Sequence, residues 1–279
     1  MLDLTFAKIS RCNDYIQTSY RQMYGDLEPT NVDLINTVVG KTLSIIANSD
    51  ALYHNLEHTI LVISVGQEIL LGKQLLEGSV TRDDWLHFTI ALLCHDIGYV
   101  RGACSHDQTC KNCYVTGASE TLIELADNTT DASLTPYHVD RGKLFVSEML
   151  KDSPNICLET IQQTIELTRF PVPAEARYQT TTSYPGLARA ADLIGQLSDP
   201  HYLKKIPALF YEMEETGASR KLGYRHPGDM RASYPEFYRK VVYPYIQDSL
   251  LYLEVTAQGR QTIANLYRNV FIDEDSIAA

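Results

Sequence analysis

The spacing of apolar residues restricts the fold of this chain more than any other feature of its sequence. Apolar side chains recur every three or four residues, which places them on one face of an α-helix. The pattern is found in LTFAKISRCNDYIQTSY, NVDLINTVVGKTLSIIA, WLHFTIALLCHDI, KLFVSEML, LETIQQTIEL, GLARAADLIGQL and FYRKVVYPYIQDSLLYLEV. No stretch alternates cleanly between apolar and polar residues, as a half-buried strand does. The sequence therefore predicts an all-α fold.

Capping and breaking residues mark the helix ends. Thr81 and Asp84 are spaced like a capping box ahead of the run WLHFTIALL, and the segment RFPVP ends the helix that carries Glu166. Turn-forming residues are concentrated at 101–117, 125–136, 171–186 and 217–234.

The chain is predicted to form one main domain with an appendage. With 44% hydrophobic residues it can bury a full core, and no internal repeat divides it. Residues 1–200 are predicted to form the main helical domain, which carries the candidate site. Residues 201–279 are dense in tyrosine and proline, show no metal-ligand pattern, and are predicted to form a C-terminal helical cap packed on the same domain.

Charge and composition exclude several classes of partner. The formal charge is −11 and the basic residues are scattered, whereas a nucleic-acid polymer requires a basic face. The segment MLDLTFAKISRCNDY shows no basic n-region followed by an apolar core, as a signal peptide would, and no run of about 18 apolar residues occurs. We therefore expect a cytoplasmic protein without a membrane partner. Six cysteines without a secretion signal predict free thiols. The sequence leaves homo-oligomerisation open.

Two histidines stand at the start of an apolar helix. The segment ALYHNLEHTILVISVG places His54 and His58 four residues apart. Residues at this spacing project from one face of a helix, so the pair can line a site. Two partly buried histidines that bond the backbone or a carboxylate are the commoner reason for such a pair on its own. A second signal is therefore needed.

Two further segments supply that signal, because they place carboxylates in apolar surroundings. ALLCHDIGYVRG ends an apolar helix in His95 and Asp96, and GLARAADLIGQLSDP holds Asp192 among small and aliphatic residues. A buried carboxylate is costly unless its charge is matched, which indicates a cation. Histidine and aspartate from three helices suit Zn²⁺, Fe, Mn²⁺ or Ni²⁺. We therefore predict a divalent transition metal as cofactor.

The order of these residues resembles that of a known family. His58, then His95–Asp96, then a distant Asp192 is similar to the pattern of the HD superfamily of metal-dependent phosphohydrolases. YHNLEH resembles the Y-H-N-x-x-H signature of class I cyclic-nucleotide phosphodiesterases, and RAADLIGQLSDP resembles their A-D-L-x-x-P segment. The resemblance covers about residues 50–200 and implies an HD-domain, phosphodiesterase-like helical bundle with a C-terminal helical extension.

The resemblance also implies roles for the matching residues. His54 would donate a proton to the leaving oxygen, for which an imidazole has a suitable pKa. The first metal would be held by His58, His95, Asp96 and Asp192. Asp96 would also act in catalysis by bridging to a second metal.

Further residues are predicted to orient or bind the substrate. Asn55 would orient ligands, although a capping or surface asparagine fits its position equally well. Phosphate charge would be neutralised by Arg101, or by Arg141 and Lys143, and each of these is also typical of a surface charge. Arg189 is expected to pair with the carboxylate three residues further along the chain.

A second metal is indicated by one segment and opposed by two others. TPYHVDRGKLFV offers His138 with Gly142 four residues on, a spacing similar to that of binuclear HD enzymes, so His138 would face a second metal or the phosphate. Tyr99, however, stands where those enzymes often have lysine, and IQQTIELTRF supplies no later histidine. Glu166 in that segment is read either as a partner of a ligating water or as a solvated charge. One or two ions are expected.

A cysteine-rich loop follows the His95–Asp96 doublet. The segment CSHDQTCKNC contains Cys104, His106, Cys110 and Cys113. A structural Zn²⁺, a redox-active pair of Cys110 and Cys113, and plain loop thiols are all consistent with it.

These features predict an enzyme that acts on a small anionic phosphoester. We expect a metal-dependent phosphohydrolase that cleaves a phosphomonoester or phosphodiester bond, with a nucleotide as substrate and metal-activated water as nucleophile. One alternative is an HD-type di-iron oxygenase, which needs more histidines than the chain offers. Another is a non-catalytic sensor whose metal site binds a nucleotide.

Overall fold

The computed structural model describes residues 2–25, 29–119 and 121–277. Its helices are α1 (Leu2–Tyr24), α2 (Pro29–Ile46), α3 (Leu56–Glu77), α4 (Arg82–Cys94), α5 (His138–Leu150), α6 (Leu158–Glu166), α7 (Tyr184–Leu197), α8 (Tyr202–Glu215), α9 (Ala218–Lys221), α10 (Pro227–Phe237), α11 (Tyr243–Leu253) and α12 (Ala257–Ile277). Short 3₁₀ helices lie at Ile97–Tyr99, Thr109–Lys111, Asp131–Leu134 and Ala176–Tyr178, and a π-helical turn lies at Tyr238–Val242.

Strands are a minor part of the fold. Within the described ranges the only strands are β1 (Cys113–Val115) and β2 (Leu122–Glu124), an antiparallel pair in which Tyr114 lies opposite Ile123. This small hairpin belongs to the loop between α4 and α5. The predicted all-α class is confirmed.

Helix α3 forms the centre of the core. It packs against α7, α11, α4 and α1, and Val62, Ile63 and Ile69 on it are fully buried. A helix that is apolar on all sides is expected where neighbouring helices surround it. Of the helices in the described part of the chain, α3 is also the one long and apolar enough to cross a membrane, and 56% of its most apolar window is buried inside the protein. Its position in the core therefore accounts for its apolar character.

Helix α4 places His95 and Asp96 in the interior of the protein. It begins with the predicted capping box, in which Thr81 and Asp84 bond each other's backbone N–H groups. From Trp85 to Cys94 every residue is buried, and the helix ends at Cys94. The chain then turns sharply through the 3₁₀ helix Ile97–Tyr99, so His95 and Asp96 lie at the buried end of α4.

Two glycines let α5 approach this turn. A Cβ atom on Gly98 would lie 1.9 Å from the backbone carbonyl oxygen of His138, and one on Gly142 would lie 3.1 Å from that of Cys94. Any side chain at Gly98 would therefore displace the backbone. The spacing of His138 and Gly142 places both on the side of α5 that faces this turn.

The C-terminal helices pack directly on this core. Helix α11 contacts α3 and α7, and a Cβ on Gly72 of α3 would lie 2.0 Å from the carbonyl oxygen of Tyr252 on α11. Helix α8 contacts the 3₁₀ helix Asp131–Leu134. The division of the chain at residue 200 stays a prediction, and residues 1, 278 and 279 at its two outer ends lie outside the described residues.

Candidate metal centre

Two histidines and two aspartates from distant parts of the sequence converge on one point. Nε2 of His58 lies 3.1 Å from Oδ2 of Asp96 and 3.3 Å from Oδ1 of Asp192. Nε2 of His95 lies 3.2 Å and 3.7 Å from the same two oxygens. The structure therefore brings together the four residues that the sequence predicts as ligands of the first metal.

Local structure positions each of these side chains. His58 lies in the first turn of α3, whose N-cap is Asn55. His95 follows the last turn of α4, and its Nδ1 donates to the carbonyl oxygen of Leu92 at 2.7 Å, which leaves Nε2 free to face the carboxylates. Asp192 projects from the third turn of α7.

Several polar atoms of this cluster are buried without a hydrogen-bond partner. They are both ring nitrogens of His58, Nε2 of His95 and Oδ2 of Asp96. Their contacts with one another are within ion-pair distance but lack hydrogen-bond geometry. An unsatisfied buried polar group costs about 1–3 kcal/mol, and a cation placed among these atoms would satisfy Nε2 of His58, Nε2 of His95 and Oδ2 of Asp96.

The charges of the cluster balance one another when no metal is bound. Burial lowers the pKa of His58, but the close contacts with the charged carboxylates of Asp192 and Asp96 outweigh burial and raise this pKa to about 9. The same carboxylates raise the pKa of His95 well above its usual value. Burial opposes ionisation of Asp96 and Asp192, yet the two histidines lower both pKa values, that of Asp192 to about 2. A divalent cation would take the place of the imidazolium protons.

The structure thus contains histidine and aspartate groups that could hold a metal ion. In one group, donor atoms of His54, His58 and Asp96 lie within 4.8 Å of one another, and in the other those of His58, His95 and Asp192 do. Mixed nitrogen and oxygen donors suit Zn²⁺, Fe, Mn²⁺ or Ni²⁺.

His54 differs from the prediction in its secondary structure. It precedes α3, which begins at Leu56, so His54 and His58 do not share a helix face. Their rings nevertheless lie 5.4 Å apart, centroid to centroid. The segment 51–55 brings His54 to the centre from outside the helix.

Glu212 on α8 holds His54 in place. Nδ1 of His54 lies 2.5 Å from Oε2 of Glu212, while Oε1 accepts the backbone N–H groups of Tyr53 at 2.6 Å and His54 at 3.1 Å. Burial raises the pKa of Glu212, but the charge of His54 and these hydrogen bonds outweigh burial and lower it. An ionised carboxylate at Nδ1 keeps Nε2 as the ring nitrogen available for chemistry.

Glu212 is a candidate site residue that the sequence did not reveal. It lies 158 residues beyond His54, in the segment predicted to carry no metal-ligand pattern. The one signal for it is its position on α8, three residues after Leu209, on the buried face of the helix. A glutamate with 3% exposure on an apolar helix face requires a partner.

His138 and Asn55 are placed near the centre but belong to neither donor group. The ring of His138 stacks on Tyr99, and its Nδ1 donates to the carbonyl oxygen of Thr135 at 2.6 Å. Oδ1 of Asn55 accepts the N–H of Glu57, as expected of an N-cap. The capping role considered for Asn55 is therefore present in the structure.

The cations predicted to bind phosphate are engaged by carboxylates. Arg101 lies 2.5 Å from Asp50 and 2.7 Å from Asp131. Lys143 pairs with Asp140 at 2.7 Å and with Glu166. Arg141 is fully buried and binds Asp107 at 2.9 Å and the carbonyl oxygens of Gly98, Val100 and Val115. Their roles toward a substrate stay predictions.

Two further expectations about charged residues differ from the structure. Arg189 does not pair with Asp192, since its guanidinium donates to the carbonyl oxygens of Tyr178 and Thr180 and lies over the ring of Tyr245. These carbonyls are nearer because the chain before α7 folds back along that helix. Glu166 is bonded by Lys143, Arg169 and Tyr178, so it is not a solvated charge, and its role as a partner of a ligating water stays a prediction.

The cysteines of the 104–113 loop are dispersed. Cys104 is buried, its thiol donates to the carbonyl oxygen of Arg141, and burial raises its pKa to about 12. Cys110 is exposed, and the thiol of Cys113 donates to the carbonyl oxygen of Lys111. Neither metal-holding group found among the described residues contains a cysteine. The arrangement gives no support to a structural zinc site.

Comparison with known proteins identifies one family. The sequence model of a family described as Npun_R2479-like matches residues 2–276. No curated protein matches the sequence significantly.

Proposed function

The chain belongs to the Npun_R2479-like family, and we propose that it is a metal-dependent phosphohydrolase. It would cleave a phosphomonoester or phosphodiester bond of a small anionic molecule, with a nucleotide as the substrate class. The observation that carries this proposal is the position of one imidazole, which is bonded to a carboxylate and lies beside the four predicted metal ligands. His54 lies 5.4 Å from His58 by ring centroids and is bonded to Glu212.

The ligand residues supply the first part of the chemistry. One divalent metal would be held by His58, His95, Asp96 and Asp192. Several donor atoms of these residues are buried without a hydrogen-bond partner, as described above. A metal held there would neutralise phosphate charge and lower the pKa of water toward neutrality. The centre is open to solvent on one side, because the side chains of Asp192 and His54 are 19% and 17% exposed.

His54 and Glu212 supply the second part. The carboxylate of Glu212 holds Nδ1–H of His54 and stabilises the protonated imidazole, so Nε2–H is available for donation. Proton donation from Nε2 to the leaving oxygen would prevent a free alkoxide from accumulating. Such acid catalysis is worth typically about 10²–10⁴ in rate.

The sequence resemblance supports the same reaction class. The order His58, His95–Asp96 and Asp192, together with YHNLEH, resembles that of HD phosphohydrolases and class I phosphodiesterases. The formal charge of −11 favours a small substrate bound at a local positive centre over a nucleic-acid polymer. A cytoplasmic location without a membrane partner is part of the proposal.

Hydrolysis of model substrates tests the proposal. The protein is freed of metal, loaded with Mn²⁺, Fe²⁺, Zn²⁺ or Ni²⁺, and assayed on p-nitrophenyl phosphate and bis-(p-nitrophenyl) phosphate. We expect turnover with at least one metal and its loss in Asp96→Ala, while Asp152→Ala, which changes an exposed carboxylate after α5, keeps it. No turnover with any metal, or equal turnover in Asp96→Ala, contradicts the proposal. Metal-dependent oxygen consumption would favour an oxygenase instead, and nucleotide binding without turnover would favour a sensor.

A further inference from the structure

Tyr99 lies between two histidines of the centre. Its ring stacks on His54 with centroids 4.5 Å apart and planes inclined by 9°, and on His138 with centroids 4.4 Å apart and planes inclined by 27°. Two rings stacked on one face of a phenol would contact each other, but no ring contact between His54 and His138 is found among the described residues. The two imidazoles therefore lie on opposite faces of Tyr99, which is 3% exposed.

The donor atoms of the centre suffice for one ion. Both donor groups described above contain His58. A neutral imidazole offers a lone pair on one ring nitrogen, so His58 ligates one ion at a time. Two-metal sites separate their ions by roughly 3.5–4 Å. A second ion at that distance would have to rely on His54 and Asp96, with His138 as the further imidazole.

Tyr99 lies between His138 and His54, one of the residues on which that second ion would rely. Both the backbone and the ring of His138 are held in place. Gly98 packs against the backbone carbonyl of His138, and Nδ1 of the ring donates to the carbonyl oxygen of Thr135. We infer that the centre holds one tightly bound divalent metal ion, and that Tyr99 is the positioning residue that keeps His138 out of its coordination. The inference rests on the proposed metal-dependent function for the identity of the ligands.

Metal stoichiometry tests this inference without an activity assay. The metal-free full-length protein is loaded with excess Mn²⁺ and desalted, and bound manganese per chain is measured by mass spectrometry and by electron paramagnetic resonance. We expect one ion per chain and the spectrum of an isolated Mn²⁺ ion. His138→Ala should bind the same amount with unchanged affinity, whereas loss of a true ligand such as His58, in His58→Ala, should abolish tight binding.

Variants of Tyr99 test the role of the ring. Tyr99→Phe retains the ring and should still bind one ion. Tyr99→Ala opens the space between His54 and His138 and should admit a second ion, which gives the spectrum of a magnetically coupled pair. Adding His138→Ala to Tyr99→Ala should return the count to one. If Tyr99→Ala does not fold, the wild type and His138→Ala still decide the stoichiometry.

The outcomes separate this inference from the proposed function. Two coupled ions in the wild type, or an affinity at least about 10-fold weaker in His138→Ala, would overturn the inference and leave the hydrolase proposal standing. One ion in Tyr99→Ala would overturn the role of Tyr99. No tight binding in the wild type would overturn both proposals.

Discussion

Nδ1 of His54 lies 2.5 Å from Oε2 of Glu212, although 158 residues separate the two in the chain. The same carboxylate also accepts the backbone N–H groups of Tyr53 and His54. It therefore fixes both the backbone and the ring of His54. A histidine held in this way would be oriented for the proton transfer that the proposed function requires.

Removal of either member of this pair should slow catalysis more than it affects metal binding. We expect His54→Ala to lower kcat about 10²–10⁴-fold, because the leaving oxygen loses its acid. Glu212→Gln should lower kcat about 10–100-fold, because the neutral amide no longer stabilises the protonated ring. Both effects are measured by steady-state kinetics on metal-loaded protein, with bound metal quantified in parallel. Glu214→Gln, on the exposed side of the same helix, is the control and should match the wild type. Equal kcat in Glu212→Gln and Glu214→Gln would remove Glu212 from the reaction.

Metal binding should stabilise the fold through the four ligands. At a free metal concentration of 100 times Kd, binding adds about 2.7 kcal/mol to the unfolding free energy. We expect metal to raise Tm of the wild type, a chelator to reverse the rise, and Asp192→Asn to show no rise. Thermal scans with and without metal measure these shifts.

The cysteine loop provides the matched control for this experiment. The double variant Cys110→Ser, Cys113→Ser should keep both the metal content and the metal-dependent rise in Tm, because neither thiol belongs to a donor group. A loss of one bound zinc ion in that variant would instead support a structural zinc site in the cysteine loop.

Gly98→Ala should destabilise the protein because α5 packs against this residue. The added Cβ would lie 1.9 Å from the carbonyl oxygen of His138, so the backbone of α5 must move. We expect a loss of about 1–3 kcal/mol in the unfolding free energy, measured by urea denaturation.

Gly40→Ala is the matched control for this substitution. Gly40 lies within α2, and a Cβ there meets no atom within 4 Å. Alanine should stabilise the helix by about 0.5–1 kcal/mol. Equal effects of the two substitutions would show that close packing at Gly98 is not required.

Acid should weaken the cluster around Glu166 that joins α5 to α6. Burial raises the pKa of Glu166, but hydrogen bonds from Arg169, Lys143 and Tyr178 outweigh burial and lower it from 4.5 to about 2. Because the unfolded chain binds more protons here, this stabilisation is present above pH 4.5 and is lost as the pH falls to about 2. We expect the wild type to lose about 2 kcal/mol more than Glu166→Gln over this interval, measured by urea denaturation at several pH values.

Glu159→Gln controls for the removal of a carboxylate from the same helix. Glu159 is exposed on α6, so its replacement should leave the acid dependence of the wild type intact. A wild type whose stability falls no faster than that of Glu166→Gln would contradict the role of the cluster.

The sequence alone determined the helical class and the four residues of the histidine–aspartate cluster. Helical periodicity indicates which face of each segment is buried. The capping box at Thr81 can be predicted because it is a local interaction within four residues. His58, His95, Asp96 and Asp192 could be selected because each carries a charge or a lone pair in an apolar segment, which is visible without coordinates.

Only the tertiary structure decided which partner each charged or polar side chain contacts. Glu212 reaches His54, Arg189 takes backbone carbonyls instead of Asp192, Lys143 pairs with Glu166, and Tyr99 separates His54 from His138. Most of these contacts join segments that are far apart in the chain, and a polar side chain can reach several partners within a few ångströms. Which one it meets depends on how the helices pack, and that information is not carried by spacing along the sequence.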